Sequence, residues 1–579
     1  MRYQHEGPGP ESGRDVLLDV NRRTFIGLLG SGITIFLAVD PGAVIAQETS
    51  RLAGPRGYPK DFNAYLHIGE DGRVTCFVGK VELGQGNKTS LAQLLAEDLE
   101  VPLDDVEMVM GDTELCPWDM GTFGSLSIRM FGPVLRAAAA EAKSILVELA
   151  SEHLGAPAGR LEAKDGVITD TADRSRKVTY AQLAAGKRIE RHLDKPPELE
   201  PARDFNVIGL SAERRDGLEK VTGRAQYAGD VTFPGMLHAR ILKPPAHGAK
   251  LISVDGAAVD SVEGARLVHE GDLVAVLHEL PDEAERALSL VKARFDEPAA
   301  TLDGTTIFDH LVKEAPKGDL IHESGSLSRG RSESERTFDR TWLNSYVAHA
   351  PMETHTAVAK IDGDRVTVWA STQAPFIVRG QVAGALDLAQ EKVRVITPYV
   401  GAGFGGKTSG PQAVDAALLA KITGRPVQVM WDRDAEFFHD TFRPAAVVHI
   451  QSGLNAGGRI SFWDFEVYAA GDRESRQFYD VAHQRTVSHG GWHGSQEGLH
   501  PFGVGPWRAP SVNTNTFARE SQIDEMAAAA KTDPLEFRMR HLSDPRMRKV
   551  LEAAAERFGW KPGAAPSGRG VGVACALYL

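Results

Sequence analysis

Nine residues constrain this chain more than any other stretch: Val400-Gly401-Ala402-Gly403-Phe404-Gly405-Gly406-Lys407-Thr408. Glycine at 401, 403, 405 and 406 strips the Cβ from a run of backbone that must turn tightly or let its amides approach another group closely. The run follows a strand-like segment, Val393–Thr397, and precedes a helical pattern. Gly401 through Thr408 satisfies G-x-x-x-x-G-K-T, the phosphate-cradling P-loop. Val427–Asp432 even reads as the strand that would end in a metal-binding aspartate. Against an ATPase stands Ser409-Gly410-Pro411. A P-loop helix starts at its Lys-Thr pair, so that the first amides face the phosphates. Here Gly410 discourages helix and Pro411 suits a first turn that begins later. On spacing alone, nucleotide hydrolysis and a plain glycine turn both stay open.

The chain has 579 residues, room for roughly three or four domains. At 42% hydrophobic and 25% charged it is an ordinary globular composition. A net charge of −13 argues against a broad nucleic-acid-binding face. Cys76, Cys116 and Cys575 are widely spaced and include no C-x-x-C pair. They cannot build a disulfide framework or supply four thiolates to an iron–sulfur cluster.

Near the N-terminus, Asn21-Arg22-Arg23-Thr24 precedes an apolar run from Phe25 to Val39, and small residues follow at Val44-Ile45-Ala46. The run is short for a bilayer-spanning helix. A charged region, a short apolar region and small residues describe an export signal, with cleavage expected near Ala46. The paired arginines give it twin-arginine character. Residues 1–46 are therefore read as a leader to the periplasm, with membrane association as a further expectation.

Beyond it the pattern is mixed α and β. Strands are expected at Ala64–Ile68 and Val74–Val78, and helices over about 89–99 and 133–153. A polar linker covers 171–205. Short strands fill 217–297 and end in a helix near 282–295. Strands and helices alternate from about residue 336 onward. Val571, Val573, Cys575 and Leu577 predict one face of a last strand.

Several segments together resemble the xanthine oxidase family of molybdenum hydroxylases, in the pattern of isoquinoline-oxidoreductase-like and membrane-bound aldehyde-dehydrogenase-like large subunits. They are Gly84-Gln85-Gly86, Gly121-Thr122-Phe123-Gly124-Ser125, Gly217–Gly223 with Tyr227–Asp230, His349–Glu353, Ser371–Pro375, the loop Val400–Lys407, and Trp507-Arg508-Ala509-Pro510. The resemblance implies an α+β multidomain fold. Residues 47–205 would be a first molybdopterin-binding segment with its linker, 206–310 an α/β hammerhead domain, and 311–579 a second molybdopterin-binding domain. It implies molybdopterin with molybdenum, in the cytosine dinucleotide form. It also implies oxidation of an aldehyde or an N-heterocycle with water as oxygen source. Electrons would pass to a small subunit with two two-iron two-sulfur clusters, and a cytochrome is a further candidate acceptor.

The residue types suit that chemistry. Backbone amides at Gly84, Gly86, Gly121, Thr122, Phe123, Gly124, Ser125, Gly403, Phe404, Gly405 and Gly406 can approach a pterin and its phosphate closely. Gln85 and Gln373 carry a donor and an acceptor each. Arg508 resembles the family arginine beside the metal, which stabilises charge developing on substrate oxygen. His489 and His493 have helical zinc spacing, but two glycines lie between them. Glu353 is a candidate base, and His349 and His355 read as structural. The family's general-base glutamate sits in a glycine-rich loop near the C-terminus, and no residue up to Leu579 matches it. The coding region past Leu579 is expected to add some 150 or more residues on domain-size grounds. A catalytically inactive cofactor-binding protein and a P-loop ATPase are the alternatives.

Overall fold

The computed structural model describes residues 32–39, 64–184, 188–193, 197, 199–492, 498–561 and 570–578. Three large sheets organise them. The N-terminal sheet has five strands in the order Val106–Met110, Val74–Val78, Ala64–Gly69, Gly32–Val39, Arg188–Leu193. Two helices pack on it, Asn87–Leu99 and Gly132–Leu154. The second starts with Pro133 in its first turn and ends on Gly155 in the left-handed region, φ 58°, the favoured residues for those positions. Its run Ala137–Ala140, with Ala142, is buried. Small side chains there bring its axis close to the first helix, and Leu91, Leu95, Leu135 and Leu146 fill the space between.

Strand Gly32–Val39 pairs antiparallel with Ala64–Gly69 and parallel with Arg188–Leu193. Ile33 and Ile35 are fully buried in this core. Part of the apolar run read as an export signal thus forms a central strand. Arg22, Arg23 and Ala46 lie outside the described residues. Among those residues no helix is long and apolar enough to cross a membrane.

The polar stretch 171–205 is more ordered than a linker. It holds strand Asp173–Thr179, a turn of helix at Tyr180–Leu183 capped by Thr179 and Gln182, and strand Arg188–Leu193. Val178, Tyr180 and Leu183 anchor it in the core, and Tyr180 donates to the Leu99 carbonyl at 2.8 Å. These side chains, with Ala184 and Ile189, are scattered too irregularly in a charged background to read as a period.

The central sheet has seven strands, ordered Arg266–Glu270, Leu273–His278, Leu237–Ile241, Val427–Met430, Thr356–Asp362, Arg365–Ala370, Val393–Ile396. Three of these come from the 206–310 span and four from beyond 311, so one sheet runs across that boundary. Helices Pro375–Leu386 and Pro411–Thr423 contribute Val378, Val382, Ala416 and Leu419 to its core. The helix expected over 282–295 stops at Leu288. Lys292–Asp296 is instead a strand antiparallel to Lys250–Asp255, because Ala293 and Phe295 alternate with exposed charges.

The C-terminal sheet is ordered Asp319–Ser324, Gln484–His489, Ile460–Tyr468, Ala446–Leu454, Arg336–Asn344. Helix Val512–Ala529 covers it through Ala518, Ile523 and Met526. The strand expected at 571–578 does not form, and 570–578 carries no regular secondary structure. A polar anchor holds it instead. The Cys575 amide donates to Glu520 Oε2 at 2.9 Å, an oxygen that also accepts from the Tyr479 hydroxyl and Arg538 Nε.

Candidate functional site

Loops from all three sheets converge on Gly401–Gly406. The N-terminal sheet reaches the central one through Gly111–Thr113. Thr397 N donates to the Gly111 carbonyl at 2.9 Å, Thr113 N to the Val395 carbonyl at 3.0 Å, and Arg394 pairs with buried Asp112 at 2.6 Å. Just past this seam the chain enters the glycine loop.

The loop's backbone is unusual. Ala402 has φ 74°, Phe404 φ 55° and Gly405 φ 116°. A Cβ on Gly405 would collide with the Pro506 carbonyl oxygen, and one on Gly403 with the Gln373 carboxamide. Neighbouring loops share the strain: Ser125, Ala350 and Ala509 also have positive φ. Each such residue costs on the order of 1–3 kcal/mol, and such costs cluster where a ligand is clamped.

Gln373 ties the loops together. Its Nε2 donates to the Thr122 carbonyl at 2.9 Å and its Oε1 accepts from Gly405 N at 2.9 Å. Its own carbonyl accepts from Thr122 N at 2.8 Å, and its amide donates to the Lys407 carbonyl at 2.7 Å. Arg508 N donates to the Phe404 carbonyl at 2.9 Å. Thr122, Gln373, Gly403–Gly406 and Arg508, singled out separately in the sequence, therefore form one constellation. The Arg508 side chain is exposed and has no carboxylate partner among the described residues.

Gly121–Ser125 is set by a pair that sequence reasoning missed. Lys80 and Asp119 are almost fully buried and meet at 2.9 Å. Lys80 also donates to the Gly121 carbonyl, Asp119 Oδ1 accepts from Gly121 N at 2.8 Å, and Val81 N donates to Thr122 Oγ1. Gly121 has φ 122° and Gly124 φ 65°. Phe123 lies between them, its ring against Gly121. A lysine one glycine beyond an apolar strand was the available signal; its partner thirty-nine residues on was not readable.

Gly84-Gln85-Gly86 lies alongside, joined by Val400 N donating to the Glu82 carbonyl at 3.1 Å. Its polar groups are largely committed within the loop. Glu82 accepts from Gly84 N, Gly86 N and Lys88 N at 2.8, 3.0 and 2.9 Å, so a carboxylate already occupies the N-terminus of helix Asn87–Leu99. The Gln85 side chain folds back onto Leu83 N and the Val81 carbonyl. It is not extended toward the other loops.

Lys407 decides between the readings of the glycine loop. Its side chain is fully buried, and its ammonium donates to the Glu353 carbonyl at 2.7 Å and to Glu353 Oε2 at 3.1 Å. Burial pushes its pKa down, with Glu353 opposing. Gly406–Thr408 makes one 3₁₀ turn, Ser409 is extended, and the helix begins at Pro411. The lysine and the helix N-terminus of a P-loop are thus both absent from their places. Beneath Gly406 lie His349 and Asp440, Nδ1 to Oδ2 at 2.7 Å. His355, Glu436 and Asp440 bring potential ligand atoms within 4.8 Å of one another, but Glu436 is engaged by the His355 amide and Nδ1 at 2.8 and 3.0 Å, and Asp440 by His349. His493 lies outside the described residues, and His489 stacks on Tyr468.

The loop offers a receptor for a polar group. Among the described residues, the amides of Ala402, Gly403 and Phe404 have no acceptor within the chain. Left-handed residues interspersed in such a run turn successive N–H groups into one concavity, which suits phosphate or pterin oxygen. The donor set therefore fits a pterin cofactor.

Comparison with known proteins agrees. Family models of a molybdopterin cofactor-binding domain match residues 31–222 and 312–491. A nicotinate dehydrogenase subunit of Pseudomonas putida is 29% identical over 94% of this chain and 49% of its own length. The beta subunit of isoquinoline 1-oxidoreductase of Brevundimonas diminuta is 28% identical over 96% of this chain and 80% of its own. The chain thus spans about half the length of the first relative. Quinoline 2-oxidoreductase from Pseudomonas putida 86 shares the fold, with a TM-score of 0.51 and 21% identity over 61% of this chain and 54% of that one. The chain belongs to the molybdopterin-binding subunits of the xanthine oxidase family.

Proposed function

We propose that this chain is the cofactor-binding part of a hydroxylase that oxidises an N-heterocycle or an aldehyde, with molybdopterin in its cytosine dinucleotide form. The observation that carries the reading is the run of unengaged amides at Ala402, Gly403 and Phe404, bracketed by Gln373 and Arg508. When bound, the cofactor supplies two-electron redox chemistry with water as the oxygen source. The chain's own part is to hold and orient. The loop amides receive the cofactor's polar edge. The Gln373 Nε2 keeps a second hydrogen to donate. The Arg508 guanidinium steadies negative charge that develops on a substrate oxygen.

Cys76, Cys116 and Cys575 are each buried and unpaired, so an electron route leaves this chain for a partner. We propose a small subunit with two two-iron two-sulfur clusters, and a cytochrome beyond it. The Arg22-Arg23 pair supports export to the periplasm of a protein already loaded with cofactor.

Elemental analysis of the protein purified with its partner should find molybdenum approaching one atom per chain, and a fluorescent pterin after acid oxidation. Magnesium-dependent ATP binding that is lost on Lys407→Ala, in protein free of molybdenum, would overturn the proposal.

A further inference from the structure

The glycine loop is fastened at both ends to one residue that lies outside it. Gly401 N donates to Glu353 Oε2 at 2.7 Å, where the loop begins. Lys407, where it ends, donates to the same Oε2 and to the Glu353 carbonyl. A third tie, Glu353 N to the Gly401 carbonyl at 3.1 Å, closes the ring. Gly401 packs directly on the Glu353 Cβ, at 2.5 Å from where its own Cβ would stand. The two charges have little recourse to water: Lys407 is fully buried and the Glu353 side chain is 13% exposed. Among the described residues each is the other's ion-pair partner at contact distance, with Glu436 and Asp440 acting on Lys407 only from further away, and a buried charge that loses its contact partner is strongly disfavoured. Between these fastened ends lie the three amides without acceptors.

We infer that Glu353 and Lys407 are positioning residues: their ion pair acts as a staple that holds Gly401 and Lys407 at a fixed separation and so keeps the Ala402–Phe404 amides turned toward the cofactor. The inference rests on the proposed cofactor reading, and neither residue touches the cofactor in it. The lysine of the P-loop-like sequence thereby has a role that needs no phosphate. Glu353, a candidate base by sequence, serves as an acceptor.

The test compares wild type, Glu353→Gln, Lys407→Met and the double variant, each as the purified complex. Asp170→Asn, which disturbs a buried carboxylate paired with Arg160 far from the loop, serves as a control for general destabilisation. Pterin and molybdenum retained after timed gel filtration are measured at a temperature where all variants are folded by circular dichroism. Each single variant should release pterin about ten-fold faster, the scale of one lost charge-assisted hydrogen bond. The double variant should resemble the worse single one, because the pair acts as a unit. Asp170→Asn should lower the melting temperature without faster release. In parallel, hydrogen exchange of the cofactor-free chain should rise in 400–408 for Glu353→Gln and stay unchanged in the central-sheet strands. Unchanged release and unchanged exchange in Glu353→Gln would overturn the inference, as would multiplicative effects in the double variant. Wild-type protein without molybdenum would defeat the proposed function alone, and the exchange arm would still decide the staple.

Discussion

At the scale of single residues, the site depends on charges that the fold has taken out of water. His349 shows how such a group answers to pH. Its side chain has no exposure; Nε2 lies 2.7 Å from the Pro506 carbonyl and Nδ1 2.7 Å from Asp440 Oδ2. Burial alone would lower its pKa, but the Asp440 carboxylate and the Pro506 and Thr441 carbonyls outweigh burial and hold it above the ordinary 6.5. A histidine raised in the fold contributes stability that is complete below its unfolded pKa and fades as pH rises through the folded value. His349→Gln should therefore cost most at mildly acid pH, about 3–5 kcal/mol if the loss is that of one partner of a buried pair. Its deficit should shrink toward pH 9. Melting temperatures of both proteins from pH 5.5 to 9 measure this, and a gap that does not change with pH would contradict the assignment of charge. Lys407, Glu353 and Glu436 pack into the same cluster, so each needs its own control variant.

At the scale of elements, legibility followed the strength of the local signal. Helices Asn87–Leu99 and Gly132–Leu154 were readable because an apolar face recurs over many turns and proline and glycine mark the ends of the second. Thr122, Gln373, the glycine loop and Arg508 could be named as separate motifs. That Gln373 is the bond between them could not, because its partners Thr122 and Gly405 lie 251 and 32 residues away. Lys80–Asp119 was invisible for the same reason. The segment at 571–578 failed differently: its alternation is imperfect, Val571 and Leu577 are exposed, and its buried amide is satisfied by Glu520 instead of a neighbouring strand. The sharpest tension concerns Gly32–Val39, an apolar run whose composition suits both an export signal and a buried strand. Full burial of Ile33 and Ile35 means that cleavage near Ala46 would take two side chains out of the N-terminal core. Large-to-small changes at such sites cost about 2–5 kcal/mol each. If export and retention of the strand are both true, Arg22→Lys with Arg23→Lys should hold the protein in the cytoplasm, while exported protein keeps its peptide through Val39. Mass spectrometry of the mature N-terminus decides the second point. A start after Ala46 in a stable, folded protein would show that the strand is dispensable.

At the scale of the whole molecule, no single sheet contains the site. The N-terminal sheet supplies Lys80–Gly86 and Asp112–Ser125, the central sheet Gln373 and Gly401–Lys407, and Pro506–Arg508 comes from the segment leading into the helix on the C-terminal sheet. Their mutual placement then depends on the seams between the sheets, and one of them, just before the glycine loop, is Gly111–Thr113 against Val393–Thr397. It is held by backbone bonds and by Arg394, buried at 3% exposure and paired with Asp112. Asp112 also accepts from the amides of Glu114 and Leu115, so the same carboxylate shapes the turn that leads toward Gly121. Arg394→Met removes the guanidinium, leaves the carboxylate buried without its charge partner, and should cost about 3–5 kcal/mol. Because that cost falls on the contact between two cores and on neither core itself, unfolding should lose its cooperativity. Calorimetry should then resolve the N-terminal unit melting ahead of the rest, where the wild type melts the two together. The same variant should retain less cofactor, since Thr122 and Gln373 approach each other across that seam. A single transition at the wild-type midpoint would show that the backbone bonds alone suffice to hold the two units in register.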